Sequence, residues 1–210
     1  MTLQNRVHPD GTIRADDWRG TFMGNRGGRI HDPQTKTLTR RRWVSKRWII
    51  CLLSFKERHR TVMGNSYTEL FFYDEVSALS AGHRPCFECR RQAANRFLTA
   101  LNQDSSNHPY YTKADTLDAR LHRERCSTPK TVSGEDIQSY PDGTMFQTGN
   151  ACLALFQRKL FLWKHTGYSP YIERPKTLEV LTPDTTIMAL SAGYEPKWHA
   201  SIISAGVSCS

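Results

Sequence analysis

The sequence predicts an α+β fold: a small treble-clef-like unit, formed by a hairpin and a helix, then a second small antiparallel sheet and short helices. Residues 48–55 and 67–73 are short apolar runs typical of buried strands, with turn residues between them. A Cys-x-x-Cys pair then leads directly into residues 90–101, whose apolar residues have helical spacing. Within residues 144–163, three short apolar segments, with turns at Asp142-Gly143 and Gly149-Asn150, indicate an antiparallel meander.

The elements follow in order along the chain. Residues 1–42 have many glycines and prolines and little periodicity, so we expect an arm with short strands. Within this arm, residues 23–29 either wrap an anion through backbone N–H groups or form a plain turn. The stretch lacks the Gly-Lys-Ser/Thr ending of a P-loop. A short helix is expected between Asp74, a good N-cap, and Gly82, a good C′ residue.

A third helix is expected over residues 115–125, and one internal repeat follows later. Residues 189–196 repeat the pattern of residues 78–85, an Ala-Leu-Ser-Ala-Gly helix end followed by proline. The chain therefore divides into a basic arm (1–42), a metal-binding α+β core (43–113), and a helix, meander and strand-helix unit packed on that core (114–210). The aromatic residues of the last unit, Trp163, Tyr168 and Trp198 among them, are expected to be core.

Composition excludes several classes of protein. The chain has 210 residues, a formal charge of +9 and a mean hydropathy of −0.59, which suits one globular domain or two small ones. No apolar run reaches the roughly 18 residues of a membrane span, and the N-terminus lacks the apolar core of a secretory signal. A cytoplasmic location is therefore expected. Six cysteines are too few for a disulfide framework, so we expect reduced thiols.

The positive charge is concentrated near the N-terminus. Residues 1–60 carry 14 Lys and Arg against 5 Asp and Glu, whereas residues 61–210 carry 15 of each. Basic side chains suit a phosphate backbone and Trp can stack on a base, so this face predicts nucleic-acid binding. A solvated basic face beside a strand with core Trp residues is the alternative. The predicted interface comprises Arg40, Arg41, Arg42, Trp43, Lys46, Arg47, Lys56, Arg58 and Arg60.

Cys86 and Cys89 form the most specific motif in the chain. A C-x-x-C pair lets two thiolates converge on one tetrahedral Zn²⁺ at about 2.3 Å each, and a helix N-terminus favours the thiolate form. Cys51 is the upstream candidate ligand, and His83 is the expected fourth, with His59 and His199 as alternatives. The alternative interpretations of this C-x-x-C motif are a redox-active pair and two ordinary thiols in a turn.

The residues around the cysteine pair are compatible with more than one kind of catalysis. Zinc deaminases need an H-x-E motif upstream of the cysteine pair, and none precedes residue 85. Cys51 or Cys86 could act as a nucleophile. A metal-dependent hydrolase would use Glu69, Asp74 or Glu75, although helix capping or a strand-edge position explains these carboxylates as well.

One segment resembles a known family. Leu70–Tyr73, the Ala-rich stretch Asp74–Ala81 and the sequence Gly82-His-Arg-Pro-Cys-Phe-Glu-Cys89 resemble the second half of the metal-binding (Ada-type) zinc domain of DNA-repair proteins. In that family four cysteines bind zinc, and one accepts a methyl group from a DNA methylphosphotriester. The matching positions here are Cys86 and Cys89, with Cys51 upstream. The partner that the family has four residues after Cys51 is replaced by Phe55.

The whole chain also resembles a group of uncharacterised bacterial proteins in short sequence segments such as Tyr67–Phe72 and Leu162-Trp163. Together, these observations predict a zinc-binding protein that binds nucleic acid, DNA rather than RNA, through its basic N-terminal face, with no membrane partner. The alternatives are an enzyme acting on nucleic acid, either an Ada-like methyl acceptor or a metal-dependent hydrolase, and a protein-interaction module.

Overall fold

A computed structural model describes residues 2–59, 61–103, 111 and 113–207. In this part of the chain, two six-stranded sheets and five α-helices form the α+β fold that the sequence predicts. No helix among the described residues is both long enough and apolar enough to cross a membrane.

The first sheet combines the N-terminal arm with the strands that carry the cysteines. Its strands are β1 (Arg6–Val7), β2 (Ile13–Arg14), β3 (Phe22–Arg26), β4 (Trp48–Cys51), β5 (Leu70–Phe72) and β6 (Arg84–Pro85). They lie in the order β2-β1-β5-β3-β4-β6. The arm therefore supplies half of this sheet. The Gly-rich stretch 23–29 is mostly strand β3, followed by a turn at Gly27, where φ is +81°.

The hairpin expected between residues 48–55 and 67–73 is not formed, and that prediction is wrong. β3 lies between β4 and β5 and pairs antiparallel with both, through Asn25 opposite Ile49 and Met23 opposite Phe71. Gly24 permits this close packing, because a Cβ at that position would lie 2.0 Å from the Ile49 carbonyl oxygen. The partner of each strand thus comes from the arm.

β6 brings the cysteine pair alongside β4. It pairs parallel with β4 at the sheet edge, where Pro85, which has no N–H to donate, lies opposite Ile50. The next amide, that of Cys86, donates to the Ile50 carbonyl at 3.0 Å. Helix α2 (Arg91–Asn102) then begins two residues after Cys89. The predicted helix over residues 90–101 is confirmed.

Helix α1 (Glu75–Ser80) connects β5 to β6 and ends as the sequence predicts. Asp74 is its N-cap: the carboxylate accepts the Ser77 amide at 2.8 Å, and the Ser77 hydroxyl completes a capping box. Gly82 follows the helix with φ +79°, the left-handed conformation typical of a C′ residue. The sequence-predicted cap and stop are both confirmed.

The internal repeat is also a structural repeat. Helix α4 (Asp184–Ser191) ends at Gly193, where φ is +90°. The amides of Gly82 and the residue after it return to carbonyls of α1, and the amides of Gly193 and Tyr194 return to the corresponding carbonyls of α4. The two helix ends therefore use the same hydrogen bonds.

This repeat supplies a matched pair of glycine substitutions. A Cβ at Gly193 would have no neighbour within 4 Å, whereas one at Gly82 would lie 2.7 Å from the Arg125 side chain. We expect Gly193→Ala to cost about 1–2 kcal/mol for its left-handed backbone, and Gly82→Ala roughly 1–3 kcal/mol more for crowding. Urea unfolding of both variants measures the difference. Equal losses of unfolding free energy in the two variants would show that the Arg125 side chain moves aside without cost.

The second sheet is antiparallel throughout and contains the predicted meander. Its order is β11-β10-β9-β8-β12-β7. The strands are β7 (Lys130–Ser133), β8 (Met145–Thr148), β9 (Ala151–Phe156), β10 (Lys159–Lys164), β11 (Gly167–Pro170) and β12 (Thr177–Val180). The remaining helices are α3 (Ala114–Arg125), which confirms the helix expected over 115–125, a 3₁₀ turn (Asp136–Ser139) and α5 (Ser201–Val207).

An aromatic cluster joins the two sheets. Trp18 and Tyr73 from the first half pack against Trp163 and Tyr168 of the second sheet, and Trp198 packs on the same cluster. The Tyr168 hydroxyl donates to the buried Asp74 carboxylate at 2.8 Å. Trp163 and Tyr168 are thus core, as expected, and Trp198 is half-buried against them.

Candidate metal centre

Three cysteines from three elements converge at one edge of the first sheet. Cys51 is the last residue of β4, Cys86 follows β6, and Cys89 immediately precedes the first turn of α2. Their sulfur atoms all lie within 4.8 Å of one another, with Cys51 and Cys86 buried and Cys89 half-buried. All three are free thiols. This three-cysteine cluster can hold a metal ion, and it includes the upstream residue that the sequence predicts.

Hydrogen bonds around Cys86 favour its thiolate form. The pKa of Cys86 is lowered, first by hydrogen bonds from the Cys51 and Cys89 thiols and then by backbone N–H groups of Cys89 and Glu88. The Glu88 amide lies 3.4 Å from the sulfur. Hydrogen bonding to Cys86 and Cys89, then burial, and then repulsion by the charge of these neighbours raise the pKa of Cys51. A bound cation would remove this repulsion and let all three sulfurs ionise.

Two buried ion pairs hold the cysteine pair from both sides. Arg84 forms a bidentate ion pair with Asp118 of α3, with N–O distances of 2.9 and 2.7 Å. Arg90 binds Glu75 of α1 at 2.7 Å. All four side chains are at most 5% exposed. Because these pairs fix the backbone before and after the cysteines, the cluster is positioned by packing as well as by any ion.

His83, the expected fourth ligand, lies outside the three-cysteine cluster. Its ring packs against Trp48 and Phe72, with centroids 5.0 and 4.7 Å apart. Its pKa is held well below the usual value by burial and then by the charges of Arg26 and Arg125, so the ring is neutral. In residues 2–59, 61–103, 111 and 113–207, no Cys, His, Asp or Glu joins the three sulfurs as a fourth ligand. The alternatives His59 and His199 are therefore outside it as well.

A cavity of about 310 Å³, called the cysteine cavity below, adjoins the cluster and is lined by all three cysteines. Most of its other walls are apolar, formed by Met23, Ile49, Leu52, Leu53, Phe55, Val62 and Phe71. Arg58 and Glu88, which form an exposed ion pair, also line it. The three-cysteine cluster thus faces a mostly apolar cavity that can take a small group.

The carboxylates considered for hydrolysis have structural partners. Asp74 caps α1, and Glu75 binds Arg90 and accepts the Tyr194 hydroxyl at 2.6 Å. Glu69 lines the cysteine cavity, but its carboxylate accepts the Met63 amide at 2.8 Å. The contacts of these three carboxylates give metal-dependent hydrolysis no specific support.

Most of the predicted nucleic-acid interface is exposed. Trp43 is 37% exposed, whereas Trp48 is 6% exposed and belongs to the core. Arg47 binds Asp115, and Arg58 binds Glu88. Arg60 lies outside the described residues. The other basic side chains, which are exposed and have no carboxylate within 4 Å in the described part of the chain, are Arg40, Arg41, Arg42, Lys46 and Lys56.

Comparison of the chain with protein-family models, with curated proteins and with solved structures gives no match. Function is therefore inferred from the side chains themselves. Two features carry that inference: the three-cysteine cluster and the exposed basic segment.

Proposed function

We propose that the protein binds one zinc ion through Cys51, Cys86 and Cys89 and binds nucleic acid through its basic segment, residues 40–58. Zinc suits the cluster because thiolate sulfur is a ligand that Zn²⁺ binds in structural sites. The ion would tie β4, β6 and α2 together in a treble-clef-like arrangement. The resemblance to the Ada-type domain favours DNA over RNA as the partner.

The observation that carries the nucleic-acid proposal is the charge around Trp43. Arg40, Arg41, Arg42 and Lys46 flank this half-exposed indole and, in the described residues, have no carboxylate partner. Lys and Arg side chains left free in this way are available to displace condensed counterions from phosphates. An indole beside them can stack on an unpaired base.

Salt dependence tests this interface. We expect Arg40→Ala/Arg41→Ala/Arg42→Ala to weaken binding to a short DNA strand and to flatten the slope of log K against log salt by about 2–3, since each phosphate contact contributes roughly 0.7–0.9. Fluorescence anisotropy at four salt concentrations measures the slope for both proteins.

The matched control removes the same charge elsewhere. Lys164→Ala/Arg174→Ala/Lys176→Ala changes three exposed cations, one at the end of β10 and two in the loop between β11 and β12. Its slope should stay near that of the wild type. Equal slopes for all three proteins would remove the basic segment from the interface. A wild type that binds no DNA at low salt would favour the protein-interaction module.

One observation favours a second candidate function. Because the cysteine cavity is lined by Cys51, a zinc-bound Cys51 thiolate could accept a methyl group there, as the Ada-type resemblance implies. The sulfur would form a bond to the methyl carbon while the carbon–oxygen bond to phosphate breaks, which releases a phosphodiester. Intact-mass measurement after incubation with methylphosphotriester DNA should show one added methyl group in the wild type and none in Cys51→Ser. An unmodified wild type would exclude this candidate.

A further inference from the structure

A second cavity, of about 230 Å³, lies where the first sheet meets α3 and the start of α4. Three arginines from separate parts of the chain line it: Arg26 at the end of β3, Arg42 of the basic segment and Arg125 at the end of α3. Trp48 forms part of the same wall. We refer to this space as the arginine cavity.

Arg26 is a buried cation with no carboxylate partner among the described residues. Its side chain is 2% exposed, yet its hydrogen bonds go to the neutral His83 ring at 3.4 Å and to the Gly11 carbonyl at 2.8 Å. Burial, followed by the charges of Arg125 and Arg42, lowers its pKa to about 9. Buried arginines in proteins are normally paired with an anion.

Arg125 is half-buried and likewise has no carboxylate within 4 Å among the described residues. Its guanidinium donates to the carbonyls of Gly82 and Lys46 at 2.7 and 2.6 Å, and its Nε atom is buried without a partner in the described residues. Its guanidinium and that of Arg26 stack on the Trp48 ring, 4.0 and 3.9 Å from the ring centre. Because both groups contact the same ring, the two guanidinium carbons lie no more than about 8 Å apart.

The carboxylates that line the arginine cavity form no ion pair with Arg26 or Arg125. Asp10 accepts the amide and hydroxyl of Thr12, and Glu124 binds Arg120 and Thr185. Asp184 is exposed at the start of α4. In the part of the chain that the structure describes, neither Arg26 nor Arg125 has a carboxylate oxygen within 4 Å.

We propose that the arginine cavity binds a phosphate group through Arg26, Arg42 and Arg125. Guanidinium groups match the oxygen geometry of phosphate, and an anion between them would neutralise the charge that the protein leaves unpaired. The phosphate could belong to a small phosphorylated molecule or to the end of a nucleic-acid strand on the adjoining basic segment. The site itself requires neither the zinc ion nor nucleic-acid binding.

Thermal unfolding with inorganic phosphate tests the site. A ligand that binds only the folded state stabilises it by RT ln(1 + [L]/Kd) and so raises Tm as its concentration rises above Kd. Phosphate should therefore raise the wild-type Tm above that in chloride of equal ionic strength. Arg125→Gln should weaken phosphate binding roughly tenfold, because one charged hydrogen-bonding partner is lost. Arg123→Gln, an exposed arginine two residues away on α3 that does not line the cavity, should bind as the wild type does.

If Arg125→Gln does not fold, Arg42→Gln replaces it, because Arg42 is exposed and its loss leaves the core intact. Binding of a 5′-phosphorylated oligonucleotide, its unphosphorylated form and adenosine monophosphate separates the two phosphate sources. If phosphate raises the Tm of the folded wild type no more than chloride does, the proposal is overturned. An equal loss of affinity in Arg123→Gln and in the cavity variant also overturns it. Either result leaves the salt-slope experiment on the basic segment unaffected.

Discussion

Removal of the metal should lower the free energy of unfolding of the wild-type protein by several kcal/mol. The three sulfurs join β4 to residues that follow 35 or more positions later in the chain, and that cross-link exists only in the folded protein. A ligand that binds only the folded state stabilises it by about 4 kcal/mol when its free concentration is 1,000 times its Kd. Urea unfolding with and without a strong chelator measures the effect.

The control for this experiment is Cys86→Ser/Cys89→Ser, which keeps the size of the side chains and removes two thiolates. Its stability should match that of chelated wild type, and chelator should not change it further. A wild type that unfolds at the same urea concentration with and without chelator would contradict a stabilising metal. Cys126→Ser, at an exposed cysteine outside the cluster, should respond to chelator as the wild type does.

Glu75→Gln should have the second largest effect. Glu75 is the counter-charge of Arg90 and also accepts the Tyr194 hydroxyl and the Lys197 amide, all in a buried site. Neutralising one partner of a buried pair leaves the other charge uncompensated, which typically costs about 3–5 kcal/mol. Because Arg90 follows Cys89 directly, metal affinity should fall as well. Urea unfolding measures the first effect, and competition with a chromophoric chelator measures the second.

Glu88→Gln provides the matched comparison. It makes the same chemical change at a residue between Cys86 and Cys89, but the Arg58–Glu88 pair is exposed and screened by water. We expect little change in stability or in metal affinity. Equal losses in Glu75→Gln and Glu88→Gln would mean that burial of the Arg90 pair has no special role in holding the cluster.

Local features were predictable because their causes are local. The cap at Asp74, the stop at Gly82 and the helix after Cys89 each depend on residues within a few positions. The cysteine pair was visible for the same reason. Cys51 could be proposed only as the cysteine at the end of an apolar run, and the structure places it in the cluster.

Strand pairing was not predictable from local pattern. β4 and β5 have the composition of hairpin strands, but a strand from residues 22–26 lies between them, and Gly24 is the only local sign of so close an approach. Pairing depends on which segments can bury each other, and this is a long-range property. The expectation for His83 failed for the same reason, since its ring fills space between Trp48 and Phe72.

The sequence did not link the two arginines that line the arginine cavity outside the basic segment. Arg26 lies in the Gly-rich stretch 23–29, which predicted either an anion-binding loop or a plain turn, and Arg125 ends a charged helix 99 positions later. Only the fold places both on the Trp48 ring. Trp48 itself was expected to be either a stacking residue or core, and its burial settles that it is core.

The most direct test of the central claim is the metal content of purified, untagged protein by elemental analysis. Wild type should carry about one zinc per chain, and Cys51→Ser and Cys86→Ser/Cys89→Ser should each carry much less, because each lacks sulfurs of the cluster. Cys126→Ser should keep the wild-type content. A wild type without metal would contradict the account, as would full zinc content in the Cys86→Ser/Cys89→Ser protein.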